Sequence, residues 1–255
     1  MSAKPEIAAA APATGPSHLA LLTILSVVAG LVDVTGFLSL GHVFTAHITG
    51  NLVVMAWQMV DGGPPHVAQL LSIPVFGLTM AVGYLLARRA GATGGRGALL
   101  GGQSLLLLLV LGFVVRSRHR EALALTESVA AAMMAVVAMA LQNAFVRVSL
   151  HQSSTTSVMT GNVASMAIAL MALFWPGPWT RDEAARKLRG TWPLVLGFFV
   201  GCAVGAASVT HLGLWAWSLP ALLSLIAIPV GVAAPATLVA QERSSVPPRM
   251  RGGQA

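Results

Sequence analysis

The chain has 255 residues, of which 56% are hydrophobic and only 9% charged, against roughly 25% charged in a soluble domain. Fifteen basic and eight acidic side chains cannot cover a soluble fold of this size, which excludes a water-soluble enzyme, a nucleic-acid-binding domain and a disordered chain. The net charge of +7 sits in short basic clusters between apolar runs, as in the cytoplasmic loops of a multi-span membrane protein.

In chain order, residues 1–17 are rich in Ala and Pro and read as a disordered tail. The next apolar run is too long for a signal-peptide core and continues into Asp33, so it reads as an uncleaved first span. A spanning helix needs about 20 apolar residues, and six stretches qualify: 18–40, 66–87, 97–115, 122–146, 191–211 and 213–234. Two others, 43–60 and 155–175, are shorter or more polar. Trp175, Trp179, Trp192, Trp215 and Trp217 mark span borders as an aromatic belt. In the basic loop 176–190, Thr180 followed by Glu183 predicts a capping box opening a short helix on the membrane surface. Residues 237–255 form a basic tail, and Cys202, the sole cysteine, has no intrachain partner.

The Lys and Arg count gives two topologies. Eight spans put eleven basic residues inside and four outside; six spans, with 43–60 and 155–175 re-entrant, give twelve against three. Both place the two termini in the cytoplasm.

The chain contains a duplication. Gly30–Ala56 reads GLVDVTGFLSLGHVFTAHITGNLVVMA and Ala140–Ala167 reads ALQNAFVRVSLHQSSTTSVMTGNVASMA. Each half places a polar residue late in an apolar helix, Asp33 in one and Gln142 with Asn143 in the other. Each then reaches Thr-Gly-Asn, at Thr49, Gly50 and Asn51 and again at Thr160, Gly161 and Asn162. Gly77 and Ala81 echo Gly197 and Gly201 in the following helices. The predicted fold is therefore an all-α membrane protein of six to eight transmembrane helices. It has two internal repeats, 18–120 and 121–236, with helix breaks at the two Thr-Gly-Asn motifs. Four crossings per unit make the repeats parallel; three plus a re-entrant segment make them inverted.

These blocks resemble the YoaK-like family of bacterial integral membrane proteins. The matching elements are Gly30–Asp33 leading to Thr49–Asn51, and Gln142–Ala144 leading to Thr160–Asn162, within a similarity from about residue 18 to 235. Val34 stands where the family more often has Ala. The resemblance implies a bacterial inner-membrane protein and supplies no substrate or reaction.

An acid at membrane depth is costly, so Asp33 reads either as a proton- or cation-coupling group or as a paired acid tying helices together, with Arg147 a partner candidate. Arg147 also fits a side chain snorkelling to headgroups. Helix starts at Thr-Gly-Asn would aim free N–H groups at a polar or anionic solute, or be capped in a dry core. The expected substrate-binding or coupling residues are Asp33, Thr49, Gly50, Asn51, Gln142, Asn143, Thr160, Gly161 and Asn162. His42, His47 and Thr45 in the first break, and His151, Thr155 and Thr156 in the second, read as hydrogen-bonding lining. No metal cluster, cofactor or nucleic-acid partner is expected, and no nucleophile–base or paired-carboxylate arrangement suggests an enzyme. Gly197, Gly201 and Gly205 form a ridge for packing between the repeats or, as a second reading, for a homodimer contact. A small-solute transporter or permease with a polar site between the repeats explains these features together. A scaffold, sensor or lipid-interacting protein is the alternative, and an intramembrane enzyme the third reading.

Overall fold

A computed structural model describes residues 16–61, 67–117, 125–149, 159–175 and 179–233. Long apolar segments satisfy their backbone groups internally as helices, and the described residues are helical apart from short turns. The helices are α1 (Pro16–Ser39), α2 (Ile48–Asp61), α3 (Val67–Gly91), α4 (Thr93–Arg116), α5 (Leu125–Ala144), α6 (Met159–Phe174), α7 (Arg181–Leu212) and α8 (Ser218–Ala233). A π-helical turn, Phe145–Ser149, extends α5. Among the described residues, five stretches are long and apolar enough to cross a membrane, and the fifth, Arg181–Ala233, contains both α7 and α8.

Tight reversals come from glycines. Gly91, at φ 71 and ψ −179, separates α3 from α4 in a conformation essentially confined to glycine. Gly213, at φ 56, ends α7 before the 3₁₀ turn Gly213–Trp217.

The core lies in two layers that reveal the direction of each long helix. The lower layer joins Leu21 and Leu25 of α1, Leu99 and Leu100 of α4, Leu141 and Ala144 of α5, Leu194 of α7 and Ala227 of α8. The upper layer joins Val28 and Val32, Ala68, Leu107 and Val114, Ala131 and Ala135, and Trp217 and Ala221. Thus α1, α4 and α7 run upward, while α3, α5 and α8 run downward. The described chain starts and finishes at the lower end.

The short helices change nothing in this alternation. Upward α1 precedes α2, and α3 starts again in the upper layer; Gln69 Nε2 of α3 donates to Gly41 O at 2.8 Å, just beyond the end of α1. Likewise α5 finishes low, and after α6 the helix α7 rises from the low end. At about 1.5 Å per residue, the 14 residues of α2 and 16 of α6 reach about 21 and 24 Å, short of a hydrocarbon core of about 30 Å. Of the two arrangements the sequence allows, the geometry is that of six long helices and two that do not change ends.

Glycine contacts set the closest packing. Gly197 faces Thr23 and Val27, Gly201 faces Val27 and Leu31, and Gly205 faces Leu31, so α7 lies parallel to α1 with the backbones nearly touching. Gly30 receives Phe198 and Cys202 from the other side. Within the chain α1 fills the ridge of Gly197, Gly201 and Gly205, which is the packing contact of the first reading in place of the homodimer contact of the second. The echo with Gly77 does not extend to packing, because nothing lies within 4 Å of a Cβ there; α3 meets α5 at Gly83, against Ala144.

The capping box forms as expected. Thr180 Oγ accepts from Glu183 N–H, and Thr180 N–H donates to Glu183 Oε2 at 2.7 Å. The predicted separate surface helix, however, runs unbroken into α7. Lys187 lies 5.2 Å from the Trp179 ring, a cation–π contact at this charged start.

Substituting Gly201→Val should lower stability by about 2 kcal/mol or more, because its Cβ would overlap the Val27 carbonyl oxygen. Gly77→Ala should leave stability unchanged or raise it by up to about 1 kcal/mol. Thermal unfolding of the purified variants in detergent checks the contrast.

Candidate functional site: the break after α1

The chain leaves α1 through a left-handed turn. Leu40 N–H donates to Gly36 O and His42 N–H to Phe37 O, with Gly41 at φ 78 and His42 at φ 62. Histidine is among the few residues enriched in that region. The turn sends residues 43–47 back down along α1, with Thr45 against Gly36.

This return passes Asp33, which is 2% exposed. Asp33 Oδ1 accepts from Thr45 N–H at 2.8 Å, Ala46 N–H at 2.6 Å and Thr45 Oγ at 3.1 Å. Asp33 Oδ2 meets His47 Nδ1 at 2.5 Å. The carboxylate thus satisfies backbone donors that neither α1 nor α2 can serve, at a depth where unsatisfied groups cost several kcal/mol. His47, 27% exposed, packs its ring 4.8 Å from Phe198 of α7. Arg147 is not the partner of Asp33: it is exposed on the π-helical turn at the lower end.

Asn51 makes the second clamp. Its Oδ1 accepts from Phe44 N–H at 2.8 Å, while its Nδ2 donates to Phe44 O at 2.7 Å and Ser72 Oγ at 2.8 Å. One amide therefore closes a ring with the backbone N–H and C=O of a single residue and ties it to α3. Gly50 lets the Phe44 ring approach, since a Cβ there would lie 2.8 Å from the ring. Thr49 is exposed in the first turn of α2. Of the first Thr-Gly-Asn, Asn51 holds the break, Gly50 makes room and Thr49 faces outward.

The second set lies near the lower end. Gln142 Nε2 donates to Leu25 O of α1 at 3.0 Å, and Gln142 Oε1 accepts from Gln103 Nε2 of α4 at 2.7 Å. This node ties α1, α4 and α5. Asn143 Nδ2 donates to Met139 O at 3.0 Å. The first turn of α6 carries Thr160 and Gly161 outward and Asn162 inward, its Nδ2 4.0 Å from Met159 Sδ. His151, Thr155 and Thr156 lie outside the described residues. Leu25 is eight residues, about 12 Å, below Asp33 along α1. The structure therefore sets the Gln142 node about two helical turns below the Asp33 cluster.

Comparison with known proteins follows the same blocks. A family model described as "Protein of unknown function (DUF1275)" matches residues 21–230. The chain belongs to the DUF1275 family. It is also 41% identical over 66 residues to the UPF0700 transmembrane protein YoaK of Bacillus subtilis (strain 168), a match covering 26% of each chain. The chain thus spans about a quarter of that relative's length in the match. No solved structure matches. This DUF1275 chain is a YoaK-like membrane protein.

The expected site set omitted several residues that build the break in this DUF1275 member. Gln69 and Ser72, polar positions in an apolar helix, were signals of equal kind to Gln142, as was Gln103 in α4. His47 and Thr45 stood in the break without an assigned partner. The donors from Thr45 and Ala46 are backbone groups and leave no trace in residue type.

Asn51→Ala should destabilise the protein by about 2–4 kcal/mol, since it orphans the backbone N–H and C=O of Phe44. Thr49→Ala should change stability by less than about 0.5 kcal/mol. Thermal unfolding in detergent distinguishes them.

Proposed function

We propose that this YoaK-like membrane protein is a small-solute transporter or permease built from two inverted repeats. Six helices cross the bilayer, and α2 and α6 are re-entrant. The observation that carries this is the matched behaviour of α2 and α6, each opened by Thr-Gly-Asn and each returning the chain to the end from which it entered. One unit runs up, down, up in α1, α3 and α4; the other runs down, up, down in α5, α7 and α8. Interrupted helices in corresponding places of inverted halves are the pattern of many secondary transporters.

The short helices also have the polarity expected inside lipid. Helix α2 buries Asn51 and Gln58 while Val53, Trp57, Met59 and Val60 are exposed; α6 buries Asn162 while Ile168, Met171 and Phe174 are exposed. A helix resting on a water surface would present the opposite faces.

The lower end carries Arg88, Arg89, Arg96, Arg147, Arg181, Arg186, Lys187 and Arg189, against Arg116 above, among the described residues. This asymmetry supports a bacterial inner-membrane location with both termini cytoplasmic. Each re-entrant start gives a polar or anionic solute a route from its own face, and Asp33 is the group through which movement couples to protons. A non-catalytic scaffold is the second reading, favoured by the full use of Asn51 and Gln142 in tying helices.

Single cysteines in a Cys202→Ser background test the arrangement with a membrane-impermeant thiol reagent. Ser117→Cys and Thr49→Cys should react in intact cells, and Thr93→Cys and Thr160→Cys only in inverted vesicles. Labelling of Thr49→Cys and Thr160→Cys from the same face would contradict inverted re-entrant helices. If both stay unreactive from either face while Ser117→Cys and Thr93→Cys react, the scaffold reading takes its place.

A further inference from the structure

We infer that Asp33 and His47 together form a proton-binding site that latches the first break, and that uptake of a second proton by the pair releases it. This deepens the transporter reading by naming the group that exchanges protons, though the latch itself is a property of the resting protein.

The geometry makes the pair an interdependent unit. Asp33 is 3% exposed at its side chain, and among the described residues its ion-pair partner is His47. The imidazole is 27% exposed, so its edge is the pair's contact with the surroundings. With one proton between them, the two groups can be carboxylate and imidazolium, neutral as a unit and joined through Nδ1 and Oδ2. The same carboxylate holds the Thr45 and Ala46 N–H groups and the Thr45 hydroxyl. A second proton on the pair leaves an imidazolium beside a neutral acid. The ion pair is then lost, and the three bonds to Oδ1 lose the charge assistance that makes such bonds roughly twice as strong as neutral ones.

Among the described residues, nothing else charged faces the pair from the packed elements to take over this role. From α7 come Phe198, whose ring lies tilted against His47, and Cys202, within electrostatic reach of Asp33. From α3 come Gln69 and Ser72, which bind higher in the break and do not titrate in the physiological range. His42 stands on the turn against Phe37, away from the pair. Helix α2 rests within the chain mainly on the α3–α4 hairpin, so the break is its main tether to α1. Release of residues 44–47 would free α2 to move, which is what a gate at this end of the bundle requires.

Hydrogen–deuterium exchange on the full-length protein in lipid nanodiscs tests this without any solute. Rates for the segment covering residues 44–47 are compared between about pH 8 and pH 4, corrected for intrinsic exchange, with α4 residues 104–112 as control. Acidification should speed exchange of the Thr45 and Ala46 amides by about tenfold or more and leave the control unchanged. His47→Gln should exchange fast at every pH, because no imidazolium remains to hold the carboxylate against Thr45 and Ala46. Asp33→Asn should be pH-independent. Equal protection of wild-type 44–47 at both ends of the range would overturn the latch. So would a pH response that survives in both variants. A response confined to wild type in a protein that moves no solute would keep the latch and remove transport.

Discussion

A bilayer supplies no water to satisfy a backbone that leaves its helix, and the Asp33 carboxylate meets that constraint here. The chain stops being helical after Ser39 and folds back to the depth of Asp33 before α2 begins. Three donors from residues 45 and 46 converge on one carboxylate oxygen, with His47 on the other. Asn51 then satisfies both polar groups of Phe44. The acid and the amide together make an irregular segment tolerable at membrane depth. Once that segment is allowed, α2 can enter and leave by the same end, and α3 can begin beside the end of α1.

The rest of the bundle follows from that reversal. Because α2 does not change ends, α3 runs down, α4 up and α5 down, and the second unit starts with the opposite sense from the first. The long first helix of one half then packs on the third element of the other: α1 on α7 along Gly197, Gly201 and Gly205, and α5 on α3 at Gly83. In the lower layer of this core an amide node, Gln142 between Leu25 O and Gln103, fixes the register of α1, α4 and α5. Interhelical amide bonds of this kind contribute on the order of 1 kcal/mol, so they specify alignment more than they supply stability.

Much of this was legible in residue type and spacing. Length and hydropathy place five of the long helices within about five residues at each end and α7 apart from its charged first ten residues, and the Thr180–Glu183 capping box is read correctly from four letters. The two short helices are visible as apolar runs shorter or more polar than the other six, which leaves six and eight spans both open. What the residues could not reveal is pairing across space. Asp33 has His47, fourteen residues on, where the repeat suggested Arg147, because a chain reversal at Gly41 and His42 brings the break back. The glycine ridge announces close approach but not whether the neighbour is α1 or a second copy. Nor does sequence show that Asp33 and Gln142 lie at different depths, since that depends on the opposed directions of α1 and α5. The surface helix expected at 180–190 is continuous with α7 because no breaking turn separates the charged start from the apolar run.

The central claim is that α2 returns the chain to the end where α1 finished. Cross-linking of His42→Cys to Gln69→Cys with a short bifunctional thiol reagent, in membranes and on a Cys202→Ser background, tests it most directly. The account predicts rapid intramolecular linkage, because Gln69 reaches the carbonyls of Gly41 and His42 at 2.8 and 3.3 Å. If α2 crossed the bilayer, those positions would stand about 30 Å apart on opposite faces, and the absence of any cross-link would contradict it.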